Sequence, residues 1–244
     1  MPHDNKPALE ELHPSLWRAS QLARGSARTV DCGHPALALQ LPGGGWPSGA
    51  LVDLMMPTPG IGEIRLLAPA LAEVAQRGIA LLQPPQTPQA LAFAALGVPP
   101  SKLIWLKPQK TGDALWAAEE VLKSGAAGAL LFWLNHARND SLRRLHLAAQ
   151  GSETLFFLMR PLASAQDASP APLRLSLHPV LDGLEVGFVK RKGPARDSKL
   201  FLPLPLPVSF KRHSAPERAT PAPQHQPEAL PSWETHGSLA AARP

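Results

Sequence analysis

Pro57-Thr58-Pro59-Gly60-Ile61-Gly62-Glu63-Ile64 is the stretch whose reading decides the fold. It follows the apolar run Ala50–Met56 and opens a segment in which Ile64, Leu67, Leu71 and Val74 recur at three- and four-residue steps. That spacing predicts an amphipathic helix. A buried strand, a glycine-bearing turn and a helix N-terminus together make the local arrangement of a phosphate-binding loop. Its chemistry needs more than the arrangement. Glycines let backbone N–H groups converge, a lysine reaches the terminal phosphates, and a Ser/Thr hydroxyl binds magnesium. Here Glu63 stands at the lysine position, Ile64 at the hydroxyl position and Pro57 at the first glycine, and only Gly62 of the signature survives. A carboxylate ~4 Å from a phosphate repels it by several kcal/mol at an effective dielectric of about 20. Arg65 lies one step further along the helix, on a different face. Pro57, Gly60, Gly62, Glu63 and Ile64 therefore read as a relic loop, a tight turn without a nucleotide, and no cofactor is expected.

Outward from the loop, short apolar runs recur at Ile79–Gln83, Leu103–Leu106, Gly128–Leu134 and Thr154–Met159. Their lengths and bounding Gly/Pro residues suit strands buried on both faces. Helical stripes alternate with them: Leu115, Ala118 and Leu122, closed by Gly125, and Leu142, Leu145 and Ala149, with Asn139 or Asp140 as N-cap. The alternation predicts an α/β fold, a mostly parallel sheet with helices on both faces. Beyond the small-residue loop Pro161–Pro172 the pattern changes. Leu173–Leu177 and Leu184–Lys190 alternate with period two around Val180-Leu181-Asp182-Gly183, so the sheet is expected to finish in antiparallel strands joined through an Asp-Gly turn.

The 244 residues are 44% hydrophobic and 18% charged, enough for one sizeable core. No run reaches the ~18 apolar residues of a membrane span, and Met1–Leu16 lacks a basic-then-apolar secretion signal. The expected compartment is the cytoplasm. Cys32 is the single cysteine, which excludes an internal disulfide and any multi-cysteine zinc site. Eight Lys/Arg and two acids fall between Gly187 and Arg218, a net +6 against +5 for the whole chain. The basicity is local, which disfavours a uniformly cationic nucleic-acid packer. There are 29 prolines, at more than twice the usual ~5% frequency, and many lie in Pro207–Pro244, which reads as a disordered tail.

Asp31-Cys32-Gly33-His34-Pro35-Ala36-Leu37, followed by Gly43-Gly44-Gly45-Trp46-Pro47-Ser48-Gly49 and Ala50-Leu51-Val52-Asp53, resembles the entry to the RecA ATPase core. The likeness runs from Val30 to about Leu134 and more loosely to Phe201. As an ordered set, Pro42–Gly49 and five further segments resemble the ImuA family, the RecA-like accessory proteins of bacterial mutagenesis cassettes. The five are Leu16-Trp17-Arg18, Pro59–Glu63, Asp113–Glu119, Leu142-Arg143-Arg144-Leu145 and Val189-Lys190-Arg191-Lys192-Gly193. The resemblance implies a RecA-like core over 28–203, an N-terminal helix and leader over 1–27 with its helix at Leu16–Arg24, and a proline-rich tail over 204–244. It also implies a non-catalytic adaptor in SOS-induced translesion DNA synthesis. Its partners would be ImuB, a polymerase-like protein without polymerase activity, and the error-prone C-family polymerase, with RecA a further compatible partner. Three alternatives stay open: a SulA-type cell-division inhibitor that binds a tubulin-like GTPase, a modulator of RecA, and a degenerate but active ATPase. Against the last, Gln83-Pro84-Pro85-Gln86 lacks the acid that activates water in RecA-type enzymes, and Trp133 stands where the magnesium-holding aspartate belongs.

Other chemistry has little support. The nine histidines include no i,i+4 pair, so no metal site is expected. Cys32 beside His34 reads as an ordinary loop cysteine, and Glu119 and Glu120 as a solvated face. Trp105, Trp116 and Trp133 read as core or partner-interface residues rather than a base-stacking platform. The spans corresponding to RecA's DNA-binding loops, Asn135–Asn139 and Leu162–Pro172, are short and hold one basic residue, Arg138. Lys190, Arg191 and Lys192 contact DNA phosphates, grip an acidic partner, or form a solvated strand end; Trp17 and Trp116 are the other contact candidates. Deleting Pro207–Pro244 should leave the melting temperature within a few degrees of the full chain's, because a segment that buries little surface adds little stability. A larger loss in thermal unfolding would mean that the tail docks on the core.

Overall fold

The structure is a computed structural model that describes residues 28–191 and 199–205. The expected N-terminal helix with Trp17, Lys192, and the tail from Leu206 onward lie outside the described residues. Thr29–Asp31 (β1) pairs antiparallel with Gly45–Pro47 (β2) as a separate ribbon. A Cβ at Gly45 would come within 2.3 Å of the Val30 carbonyl oxygen, so the ribbon closes only on glycine. A short helix, Pro35–Ala38 (α1), lies between them.

Leu51–Met56 (β3) is buried at every residue, as a strand with helices over both faces requires. It lies between Leu155–Pro161 (β7) and Leu173–Val180 (β8), parallel to both. The eight-stranded sheet runs β10-β9-β8-β3-β7-β6-β4-β5. Here β4 is Ile79–Leu82, β5 Leu103–Leu106, β6 Ala129–Trp133, β9 Gly183–Lys190 and β10 Leu200–Pro203. All pairings from β8 to β5 are parallel, and β9 and β10 pair antiparallel at the C-terminal end. The predicted sheet is present.

Two cores lie on its two faces. Glu63–Val74 (α2) buries Leu66, Leu67 and Leu71, and Ala90–Ala95 (α3) buries Phe93, against Val52 and Leu54 on one face. Thr111–Ser124 (α4) and Asn139–Gln150 (α5) bury Ala118, Leu122, Leu142 and Leu145 against Leu51, Leu130 and Phe156 on the other. Gly125 ends α4 in the left-handed conformation at φ 60°, as the sequence predicts. Four local expectations are corrected. The N-cap of α5 is Arg138, without a side-chain cap bond, because the helix begins one residue earlier than the cap signal suggests. Leu181 and Asp182 form the hairpin loop, Asp182 taking the positive φ of 60°, since Gly183 is already paired in β9. Leu162–Gln166 forms a short 3-10 turn within the expected loop. Finally, β5 is an edge strand, and Ile104 and Trp105 are 48% and 45% exposed rather than buried.

A charged cluster sits inside this apolar frame. Asp53, fully buried in the middle of β3, faces Arg174 across the β3–β8 pairing and accepts its Nε–H at 3.1 Å. Arg174 also donates to the Ser164 and Asp167 carbonyls at 2.7 and 3.0 Å. Arg160, from β7, brings Nη1 to 3.5 Å from the same Asp53 oxygen and donates from Nη2 to Asp167 at 2.8 Å. Burial pushes the Asp53 carboxyl above its ordinary range, against the pull of Arg160 and Arg174. Removing one partner of a buried ion pair leaves an uncompensated charge and costs about 3–5 kcal/mol. Asp53→Asn should therefore lower the unfolding free energy in urea by about that amount. Arg28→Ala, which breaks the exposed Arg28–Glu153 pair, should cost less than about 1 kcal/mol. Equal losses in the two variants would show that the buried cluster holds nothing.

Candidate functional site: the loop after β3

The loop leaves β3 at Met56 and enters α2 at Glu63. Gly60 and Gly62 adopt φ of 89° and 123°, values that only glycine takes readily. This turns their N–H groups inward, and the partner they meet is Glu63. Its Oε1 accepts the Gly60 N–H at 2.8 Å and its Oε2 the Gly62 N–H at 3.2 Å. Glu63 is 3% exposed. The carboxylate at the lysine position thus occupies the backbone nest where an anion would sit, besides placing a negative charge in the first turn of α2. Sequence reasoning anticipated repulsion of phosphate and missed the occupancy. No capping-box signal marks it, because Glu63 is the first helical residue rather than the third and the N-cap is Gly62.

The other residues around the loop are also held by the protein itself. Ile64 packs against the first core. Arg65 lays its guanidinium against Gly62 and donates to the Leu204 carbonyl at 2.5 Å, which ties α2 to the end of β10. Gln83 adopts φ 51° and donates its side-chain amide to the Pro108 carbonyl at 3.3 Å. Trp133 ends β6, partly buried against the first core, and its Nε1–H is buried without a hydrogen-bond partner. No group of three or more His, Cys, Asp or Glu able to hold a metal occurs among the described residues. Two cavities open beside the loop. An apolar one of about 360 Å³ lies between Ile64, Leu81, Pro84, Phe93 and Leu96. A polar one of about 580 Å³ lies among Thr58, Gln83, Thr111, Asn135, His136 and Arg160. Pro59, Pro85 and Trp133 line both.

The other candidates are dispersed. Lys190 is exposed and donates to the Ser169 carbonyl at 3.2 Å. Arg191 donates to the Gln40 carbonyl at 2.6 Å and lies 5.4 Å over the Phe188 ring. Both are tied to their own chain at the end of β9, which β8 separates from β3. Trp116 is 65% exposed on α4, which packs over β4 and β6. Near it Glu119 links Lys123, at 2.8 Å, with Arg144 of α5. Hydrogen bonds from Lys123 and then Arg144 hold its carboxyl below the usual range. Glu119 is thus an inter-helix tie rather than a bare solvated charge. Trp105 has the Lys107 ammonium 5.5 Å from its ring centre. Cys32 is buried and donates to the His34 carbonyl at 3.4 Å, and burial pushes its thiol pKa up. His34 itself meets the Leu66 carbonyl at 3.1 Å. The pair is packing, not a thiolate and its base. No helix among the described residues is long and apolar enough to cross a membrane.

No protein-family model matches the chain. Over 80 residues it is 32% identical to the cell division inhibitor SulA of Edwardsiella piscicida, a match that covers 33% of this chain and 48% of that protein. The chain therefore spans about half the length of the curated relative it matches. A third of the chain is thus similar to a cell division inhibitor, SulA.

Proposed function

We propose that the chain is a non-catalytic adaptor of the SOS response, working in translesion DNA synthesis through protein contacts in the cytoplasm. The observation that carries the non-catalytic part is the Glu63 carboxylate seated on the Gly60 and Gly62 N–H groups. A loop that satisfies its own donors has no vacancy for a phosphate. The ordered segments that resemble the ImuA family support the translesion role, with ImuB and the error-prone C-family polymerase as partners. Trp116, exposed on α4, is the contact residue of first choice on the described surface, since aromatic anchors dominate interface energies. The SulA likeness fits an SOS role and favours a second reading equally well, a cell-division inhibitor that binds a tubulin-like GTPase.

Two experiments test these readings. Isothermal titration with magnesium-ATP should show no binding at millimolar nucleotide, and Glu63→Lys with Ile64→Thr should not restore hydrolysis, since base and metal carboxylate stay absent. Glu63→Ala should instead lower stability by about 1–3 kcal/mol, the cost of leaving the buried Gly62 N–H unpaired. Magnesium-dependent turnover by the unaltered protein would defeat the non-catalytic reading. For the partner, parallel pull-downs against an ImuB-type protein and a tubulin-like GTPase decide between the two roles. Capture of the first, weakened by Trp116→Ala, is the expected result; capture of the GTPase alone replaces the adaptor with the division inhibitor.

A further inference from the structure

The entry of β3 is held to α5 by more than apolar packing. A Cβ at Gly49 would come within 2.5 Å of the Ser152 carbonyl oxygen and 3.2 Å of the Ala149 oxygen, so the strand enters flush against the end of that helix. Pairing with β8 begins only at Val52, and the Leu51 N–H meets a side chain, donating to Nδ1 of His146 at 3.3 Å. Leu51 is fully buried, and a backbone donor in such a place requires an acceptor. An N–H can donate only to a ring nitrogen that carries no proton. The bond therefore fixes a neutral imidazole with its proton on Nε2. The side-chain amide of Gln150, one turn on, lies 3.4 Å from Nε2, and turned end for end it offers that proton an oxygen.

Protonation of His146 puts a second donor at Nδ1, facing the Leu51 N–H, and the bond is lost. The surroundings oppose that charge. Burial, and then the Lys190 ammonium at the end of β9, hold the imidazole below its ordinary range. Arg143, one turn earlier on α5, adds the same sign. The carboxylates of the neighbouring elements are engaged elsewhere. Asp53 faces Arg160 and Arg174, Glu119 holds Lys123 and Arg144, Glu153 pairs with Arg28, and Glu185 with Lys199. His178 lies four residues beyond Arg174, the strand partner of Lys190, and so stands away from this end of the sheet. A group held below its unfolded value gives its full stability above that value, about 6.5 for histidine. The stability is lost as the pH falls from there toward the folded value. We propose that His146 is a proton-sensitive fastener between α5 and the entry of β3, closed at neutral pH and released locally on acidification. The inference is independent of the adaptor reading.

The test uses the full-length protein and two NMR readouts. At neutral pH the ring nitrogen shifts of His146 should report a neutral imidazole protonated at Nε2, with Nδ1 free to accept. Amide hydrogen exchange, corrected for its intrinsic pH dependence, should show the protection of Leu51 falling about threefold or more on acidification by two pH units from neutral. Over the same range Leu131, in the middle of β6, should keep its protection within about twofold. His146→Asn places a non-titrating oxygen where Nδ1 stands, and should hold the Leu51 protection within about twofold as well. Should that variant fail to fold, the tautomer and the contrast between Leu51 and Leu131 in the unaltered chain still decide. A ring protonated at Nδ1 at neutral pH, an equal loss at Leu51 and Leu131, or the same pH dependence in the Asn variant would each overturn the proposal.

Discussion

A carboxylate in the middle of a strand that is buried at every residue forces the structure around it. Asp53 has no water to solvate it, so cations must come from the neighbouring strands, and they do, Arg174 from β8 and Arg160 from β7. The side-chain period of a strand is two, so a one-residue slip of β8 would turn Arg174 into the opposite core. The β3–β8 register is therefore coupled to a charge as well as to hydrophobic burial. The remaining donors of Arg174 reach the Ser164, Ala165 and Asp167 carbonyls, which strap the turn after β7 over the cluster. One acidic residue thus organises three strands and the loop between two of them.

The loop after β3 uses a second carboxylate for the opposite purpose. Backbone N–H groups turned inward by left-handed glycines need an acceptor whether or not a ligand is present. In a nucleotide-binding loop a phosphate supplies it, and the conformation depends on occupancy. With Glu63 in that place the acceptor is covalently part of the chain, and the turn from β3 into α2 holds its shape without a ligand. One side chain thus supplies the acceptor that both glycine N–H groups require.

Much of this was legible in the sequence where period and length spoke together. Leu67 and Leu71, Ala118 and Leu122, and Leu142 and Leu145 mark the buried faces of their helices, and the glycine turn before Ile64 locates the loop. What was not legible depends on partners distant in the chain. Asp53 and Arg174 are 121 residues apart, and nothing in either neighbourhood announces the other. Leu103–Leu106 has the composition of a central strand, and only the topology makes it an edge with Trp105 exposed. The six-residue α3, almost all alanine and leucine, offers too few turns for a period to show. Lys190 and Arg191 read as a free basic cluster because the carbonyls that hold them, Ser169 and Gln40, belong to other elements.

A scaffold of this kind carries function only in its sites and surfaces, so the surface elements also need a physical account. The sheet edges are poor candidates for strand addition. On β10 Pro203 lacks an N–H to offer a new strand, and Lys102 and Lys107 flank β5, the charged guard that natural edge strands use against uncontrolled pairing. Lys107 also covers the ring of Trp105, which leaves that aromatic less open than its position suggests. The helices present a different kind of surface. There Trp116 stands outward on α4, whose outer surface is fixed to α5 by the Glu119–Arg144 tie. An aromatic held on a braced helix loses little freedom when it is buried by a partner, which is the condition under which a single residue anchors an interface.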